Sequence, residues 1–151
     1  MEAIFLIEPA SNIALQSGRY FPPAIIRIVI DKDGKNYNNT LLHEAINESG
    51  IPVDEETAVN VIRDQVNDLK DMVKNCERLA LNPAKKLLDA AHQRGYELLN
   101  KEISRLLALS KVNPNVRQEE LDFYEDHWKI LEKVIESATP RLDALRVIVC
   151  V

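Results

Sequence analysis

Glycine is scarce in this 151-residue sequence, with four in all, at positions 18, 34, 50 and 95. Neither a glycine-rich phosphate loop nor a dinucleotide-binding fingerprint can be written with them, which excludes the standard nucleotide-hydrolase motifs from the chain. Cysteine is scarcer still. Cys76 and Cys150 stand alone, and two separated thiols make neither a disulfide framework nor a zinc-ligand spacing, so both are expected to be reduced packing residues. Long apolar runs are missing too: no stretch approaches the roughly 18–20 residues that cross a bilayer. The opening MEAIFLIEPA has an acid at position 2 and lacks the basic start of a secretory signal. These absences predict a soluble cytoplasmic chain with no membrane partner. Excess positive charge is also lacking. A formal net charge of −5 and a pI near 5.3 argue against a whole-domain nucleic-acid binder, which needs a basic surface to neutralise phosphates. What remains is 46% hydrophobic and 28% charged, the composition of one ordinary globular domain over residues 1–151.

The first third reads as sheet. Ala3–Ile7 is a short apolar run closed by Pro9, and Ile25–Ile30 is a β-branched run interrupted only by Arg27. Between them, residues 12–17 alternate weakly, Gly18 offers a turn, and Pro22-Pro23 holds the approach to Ile25 extended. Asp31-Lys32-Asp33-Gly34-Lys35 then predicts a tight turn, because Asp-Gly supplies the positive φ that such a turn demands, with a brief fold back through Tyr37.

The rest reads mainly as helix. Val59, Ile62, Val66, Leu69, Val73, Cys76 and Ala80 alternate steps of 3 and 4, the seam of a helix lying along a partner at a shallow angle. Asp54, Glu55 and Glu56 belong to its opening turn, where carboxylates meet the positive end of the helix dipole. The stripe resumes at Ala84 through Leu88, Ala91, Gly95, Leu98 and Leu106, shifted near Pro83. A break or kink is predicted at Pro83, since an unbroken helix over 55–109 would be roughly 80 Å long at about 1.5 Å per residue. Leu121, Tyr124, Trp128, Leu131, Ile135 and Ala138 predict a further helix over 116–138, antiparallel to its predecessor. Leu145–Val151 predicts a terminal strand buried on both faces or central in a small sheet, sharing that sheet with Ile25–Ile30. The expected fold class is α+β: a small mixed or antiparallel sheet from the N-terminal third and the C-terminal strand, packed against two or three long antiparallel helices.

Candidate chemistry is sparse. Asp31-Lys32-Asp33-Gly34 begins like a calcium loop, but Leu42 stands where a bidentate glutamate belongs and the glycine comes too early, which favours a plain turn. His43, His92 and His127 lack the i, i+4 pairing of a helical zinc site and are expected at the surface or its boundary. Cys76 sits on the apolar seam, where a thiol packs and does not react. The acids between Glu119 and Asp126 read as a solvated helix face rather than paired catalytic carboxylates. No catalytic residue, no metal ligand and no cofactor-binding residue is predicted. One binding feature stands out: Arg94, Lys101 and Arg105 fall within about 40° of one another on a helical projection, beside the apolar stripe, and form a candidate partner-binding surface for phosphate or an acidic protein. Tyr20-Phe21 is a second candidate, as an exposed aromatic anchor or, the more expected role, as cover for the sheet edge.

Several segments together resemble one family. EAIFLIEP at 2–9, RYFPPAIIRIVIDKDGKN at 19–36, KLLDAA at 86–91, SRLLALSKVNPNVRQEEL at 104–121 and RLDALRVIVCV at 141–151 resemble, in order and spacing, the C-terminal region of the RapA (HepA) family of bacterial RNA polymerase-associated ATPases of the Swi/Snf type. The residues around Pro83 and the acidic stretch after Ile51 depart from that pattern. The resemblance implies a non-catalytic C-terminal accessory domain of a much longer, ATP-driven, helicase-like translocase that recycles RNA polymerase. ATP and magnesium would belong to that parent's motor, which has no counterpart in these 151 residues. Implied partners are the remainder of the parent, RNA polymerase and, through the parent, nucleic acid. The alternative is a free-standing helical protein-interaction adaptor without a motor.

Overall fold

A computed structural model describes residues 1–10, 15–113 and 115–149. Its strands are β1 (Glu2–Ile7), β2 (Ala24–Val29) and β3 (Arg141–Arg146), and its helices are α1 (Ser17–Tyr20), α2 (His43–Ser49), α3 (Glu55–Asp64), α4 (Val66–Ser110) and α5 (Gln118–Glu136). The fold is α+β, with a three-stranded antiparallel sheet in the order β2-β1-β3. No helix among the described residues is long and apolar enough to cross a membrane. The chain divides into two compact units: the first holds 1–6, 25–83 and the described residues from 140 onward; the second holds the described residues of 7–24 and 84–139.

In the first unit, β1 is the central strand because its apolar residues alternate onto a fully buried face, Ala3 and Phe5, while both backbone edges find partners. Met1 and Ile30 exchange two backbone hydrogen bonds, 2.8 and 3.0 Å, the signature of an antiparallel pair at the start of the β1–β2 ladder. On the other side Glu2 pairs with Arg146 and Leu6 with Arg141, with a register shift between Ile4 and Phe5 that leaves Asp143 as the extra residue of a bulge. The outer edge of β2 is blunted by one side chain. Asn38 accepts from the Val29 N–H at 2.5 Å and donates to the Arg27 carbonyl at 2.9 Å, so its carboxamide stands in for a neighbouring strand.

The predicted turn after β2 is present. Gly34 adopts φ 81°, and the Asp31 carboxylate accepts from the N–H groups of Asp33 and Lys35 and from the Tyr37 hydroxyl, before the chain folds back in a single bridge between Ile30 and Asn36. Hydrogen bonding, led by the Lys35 N–H, holds the Asp31 carboxyl below its ordinary range. A side chain at Gly34 would be strained twice, by its φ and by Asn75 Nδ2, which lies 2.6 Å from where a Cβ would stand. Asp54 caps α3 by accepting from the Thr57 N–H at 2.9 Å, and Glu55 and Glu56 fill the first turn as the dipole argument expects.

In the second unit, residues 84–110 of α4 pair antiparallel with α5, as the 3/4 spacing predicts. Gly95 makes the close approach possible: a Cβ there would stand 3.0 Å from the Trp128 ring and 3.2 Å from Leu131. Ala91, Leu99, Leu106, Leu121, Leu131 and Ile135 are buried along this pair.

Four expectations require correction. First, α4 runs through Pro83 without a break. Proline's fixed φ is helical and its missing N–H removes a single ladder bond, while the interruption falls instead at Gln65, with φ −105° and ψ 13°. A helix of this length exceeds one compact body, and α4 belongs to two: Pro83 ends the first unit and Ala84 opens the part of α4 in the second. Second, the terminal strand is Arg141–Arg146, not Leu145–Val151, and it is an exposed edge strand rather than one buried on both faces or central, although it shares its sheet with β2 as expected. Its apolar tail over 147–149 lies outside the ladder, and Cys150 and Val151 lie outside the described residues. Third, the weak strand over 12–17 is not found in its described part: 11–14 lie outside the described residues, and Ser17 opens the helical turn α1. Fourth, α2 was not expected, because seven residues with one buried apolar side chain, Ile46, present no periodic stripe.

Candidate functional site

The basic stripe is built by the C-terminal half of α4. Its continuous helical backbone carries Arg94, Lys101 and Arg105 on one face, all exposed, with about 10 Å of helix rise between the first two and about 6 Å between the last two. Arg105 Nε pairs with Glu102 at 2.9 Å. Arg94 and Lys101 make no ion pair among the described residues. Glu97, the nearest acid to Arg94 along the chain, accepts from Gln93 at 2.6 Å. Two uncompensated cations and one half-compensated cation therefore point outward from a rigid helix, an arrangement that can bind anions and cannot by itself do chemistry.

The remaining sequence candidates are placed apart. Tyr20 and Phe21 are 6% and 3% exposed, which removes the role considered for them as an exposed surface anchor. Tyr20 packs edge-on against the His127 ring at 6.0 Å, inside the second unit, and burial raises its hydroxyl pKa. His127 lies between Tyr20 and the exposed Phe123, with Nε2 buried and without a hydrogen-bond partner among the described residues. His92 bonds Glu132 at 3.0 Å and meets the Trp128 ring at 4.9 Å, which serves helix pairing. Cys76 is fully buried, and burial pushes its thiol pKa up, away from nucleophilic character. Of the acids of α5, Asp126 pairs with Lys129 at 3.0 Å and Asp122 accepts from Gln118 at 2.9 Å, both along the same helix.

One constellation was not anticipated. The Glu2 carboxylate, 2% exposed, receives Arg27 Nε at 2.5 Å and His43 Nδ1 at 3.0 Å, with Arg146 Nε at 3.5 Å. Burial would raise this carboxyl, but the hydrogen bonds from His43 and Arg27, with the charges of Arg27 and Arg146, together hold it below the ordinary range. The cluster ties β1 to β2, α2 and β3 and is a structural clamp. Its partners lie 25, 41 and 144 positions from Glu2, beyond any local motif; the only sequence signal was Arg27 inside an apolar run.

No group of three or more histidine, cysteine or acidic side chains among the described residues is arranged to hold a metal ion. A depression of about 460 Å³ is lined by Asp31, Asp33, Asp68 and Asp71 with Lys32, Met72 and Asn75. Its loop does not suit nucleotide phosphates: the N–H groups of Asp33, Gly34 and Lys35 are all turned onto Asp31, and the walls are acidic.

Residues 1–150 match the family described as RNA polymerase recycling family C-terminal. A relative from Erwinia tasmaniensis, named RNA polymerase-associated protein RapA, is 36% identical over 149 residues, and one of the same name from Cronobacter sakazakii is 32% identical over 149. Each alignment covers 99% of this chain and 15% of the relative, in its C-terminal region. With the whole described fold inside the match, the chain belongs to the C-terminal domain family of the RNA polymerase recycling proteins.

Proposed function

We propose that this chain is a non-catalytic accessory domain of a longer, cytoplasmic, ATP-driven translocase of the Swi/Snf type, and that it contributes to RNA polymerase recycling by docking. The observation that carries this reading is the match over 99% of the chain to 15% of relatives that are named for association with RNA polymerase. ATP, magnesium and contact with DNA belong, on this reading, to the parent's other regions. The domain's own partners are the remainder of the parent and RNA polymerase, with Arg94, Lys101 and Arg105 as the surface for an acidic or phosphate-bearing partner. The purified 151-residue chain is expected to give no heat with ATP and magnesium in calorimetry and no phosphate release. Nucleotide binding that a point substitution within this chain abolishes would contradict the reading.

A further inference from the structure

We infer that the side of the α4–α5 pair carrying Tyr96 and Trp128 is a docking site for an arginine side chain presented by RNA polymerase. This rests on the reading above, that the chain belongs to a polymerase-associated protein. Trp128 is the only tryptophan of the sequence, and its ring is fixed from three directions. A Cβ at Gly95 would stand 3.0 Å from it, the His92 ring meets it at 4.9 Å and 74°, and the Tyr96 ring at 5.7 Å and 70°. Two rings near a right angle turn two π faces toward one corner, and either face attracts a cation. Tyr96 is 49% exposed and Trp128 half-buried, so solvent reaches both rings.

Charge selects the ligand. On a projection of about 100° per residue, Asp122, Glu125, Glu132 and Glu136 fall within about 80° on α5, with Lys129 among them. Glu132 bonds His92 and Trp128 meets Tyr96, so this row borders the same side of the pair. Asp122 accepts from Gln118, and Lys129 is taken by Asp126 at 3.0 Å. Glu125, exposed and one turn before Trp128, makes no ion pair among the described residues. On α4, Tyr96, Ile103 and Leu107 fall within about 40°. The same row begins with Lys85 and Asp89, of opposite sign, and Lys111 lies one turn past Leu107. The outer flank carries Gln93, Asn100 and Ser104, with Glu97 beyond, bonded to Gln93. Aromatic faces beside an unpaired carboxylate suit a guanidinium, which stacks on a ring while its fork of N–H groups meets the acid; a lysine ammonium offers only a point charge.

A second copy of the chain does not supply that arginine. A closed dimer through this side would set the acidic row of α5 against itself or against Gln93, Asn100 and Ser104. The stripe of Arg94, Lys101 and Arg105 lies about 140–180° around α4 from Tyr96, so copies would meet through it only head to tail, without closure. A few half-exposed apolar side chains inside an acidic rim have the make-up of a transient contact, whereas a surface covered permanently by the same polypeptide is larger and more apolar. The occupant is therefore a separate protein, and the relatives are named for association with RNA polymerase.

The test uses the full-length protein with RNA polymerase, and photoreactive benzoylphenylalanine at position 96 or, as a control, at position 104. Irradiation is expected to link position 96, not 104, to a polymerase segment that contains an arginine, and E125K should lower that yield at least fivefold. Without the photoprobe, E125K should weaken polymerase association at least fivefold and Y96S at least threefold, whereas Y96F, which keeps the ring, stays within twofold. Melting of E125K should be unchanged, because Glu125 is exposed. Linkage to the protein's own polypeptide, to a second copy or to nothing, or equal association of all the variants, would overturn the inference while polymerase association itself stands. A full-length protein that does not associate with polymerase would overturn the underlying reading as well, and so tells the two failures apart.

Discussion

The two units are held together by different kinds of contact. In the second, α4 and α5 meet across one short connection, and the residues that touch, Gly95 with Trp128 and His92 with Glu132, belong to adjacent helices. In the first, β1 lies between a strand from the first thirty residues and one from the last fifteen, and the Glu2 clamp closes on residues 27, 43 and 146. Local pairing loses little loop entropy; the sheet must bring distant segments together before any of its contacts form. The helical pair is accordingly written into spacing along the chain, whereas the sheet is specified by which distant side chains fit together.

Core truncation should break the comparison most strongly. Phe5→Ala removes a fully buried ring from β1 and is expected to cost about 3–5 kcal/mol, while Leu131→Ala in α5 should cost about 2–5 kcal/mol. Denaturant unfolding of both variants measures this, and equality with the unsubstituted chain in either case would show that its unit has no specific core. Gly95→Leu comes next. Its side chain would enter the space held by Trp128 and Leu131, and overpacking of about 1–3 kcal/mol should outweigh the gain of about 0.8–1 kcal/mol in helix propensity.

The clamp gives a pH-dependent prediction confined to the first unit. Because the Glu2 carboxyl is held below its ordinary range in the folded state, the stability it contributes is present above the unfolded value near 4.3 and is lost as pH falls through the folded value. Glu2→Gln should therefore destabilise by about 1–3 kcal/mol at pH 7, with a difference that narrows as the pH falls below 4. A difference that is constant with pH would mean that the carboxylate's charge is not what the clamp uses.

Legibility in the sequence follows the same division. The α4–α5 pair, the acidic opening turn at Asp54, Glu55 and Glu56, and the Asp31 turn were readable because each is a short-range pattern with a local physical cause. The position of β3 was not: Leu145–Val151 is the more apolar run, but pairing opposite β1 selects Arg141–Arg146, where Arg146 reaches Glu2. Pro83 misled because a proline is judged against an average helix interior, and its cost of about 3 kcal/mol can be carried by a helix with buried residues on both sides, here Ala80 and Ala84. Of the candidate sites, the basic stripe was legible as helical geometry. The Tyr96–Trp128 corner was not, since spacing puts Trp128 on the seam of α5 but does not show which rings of α4 meet it.

Charge reversal at all three stripe positions, R94E/K101E/R105E, has the smallest expected effect on stability, within about 0.5 kcal/mol, because exposed charges contribute little to folding. In the full-length protein it tests most directly whether this domain acts through a surface. RNA polymerase association, measured across a salt series alongside ATP hydrolysis and melting, should weaken about tenfold or more and lose part of its salt dependence, with basal hydrolysis and melting unchanged. Association that is insensitive to both the reversal and salt would contradict a docking role for the stripe.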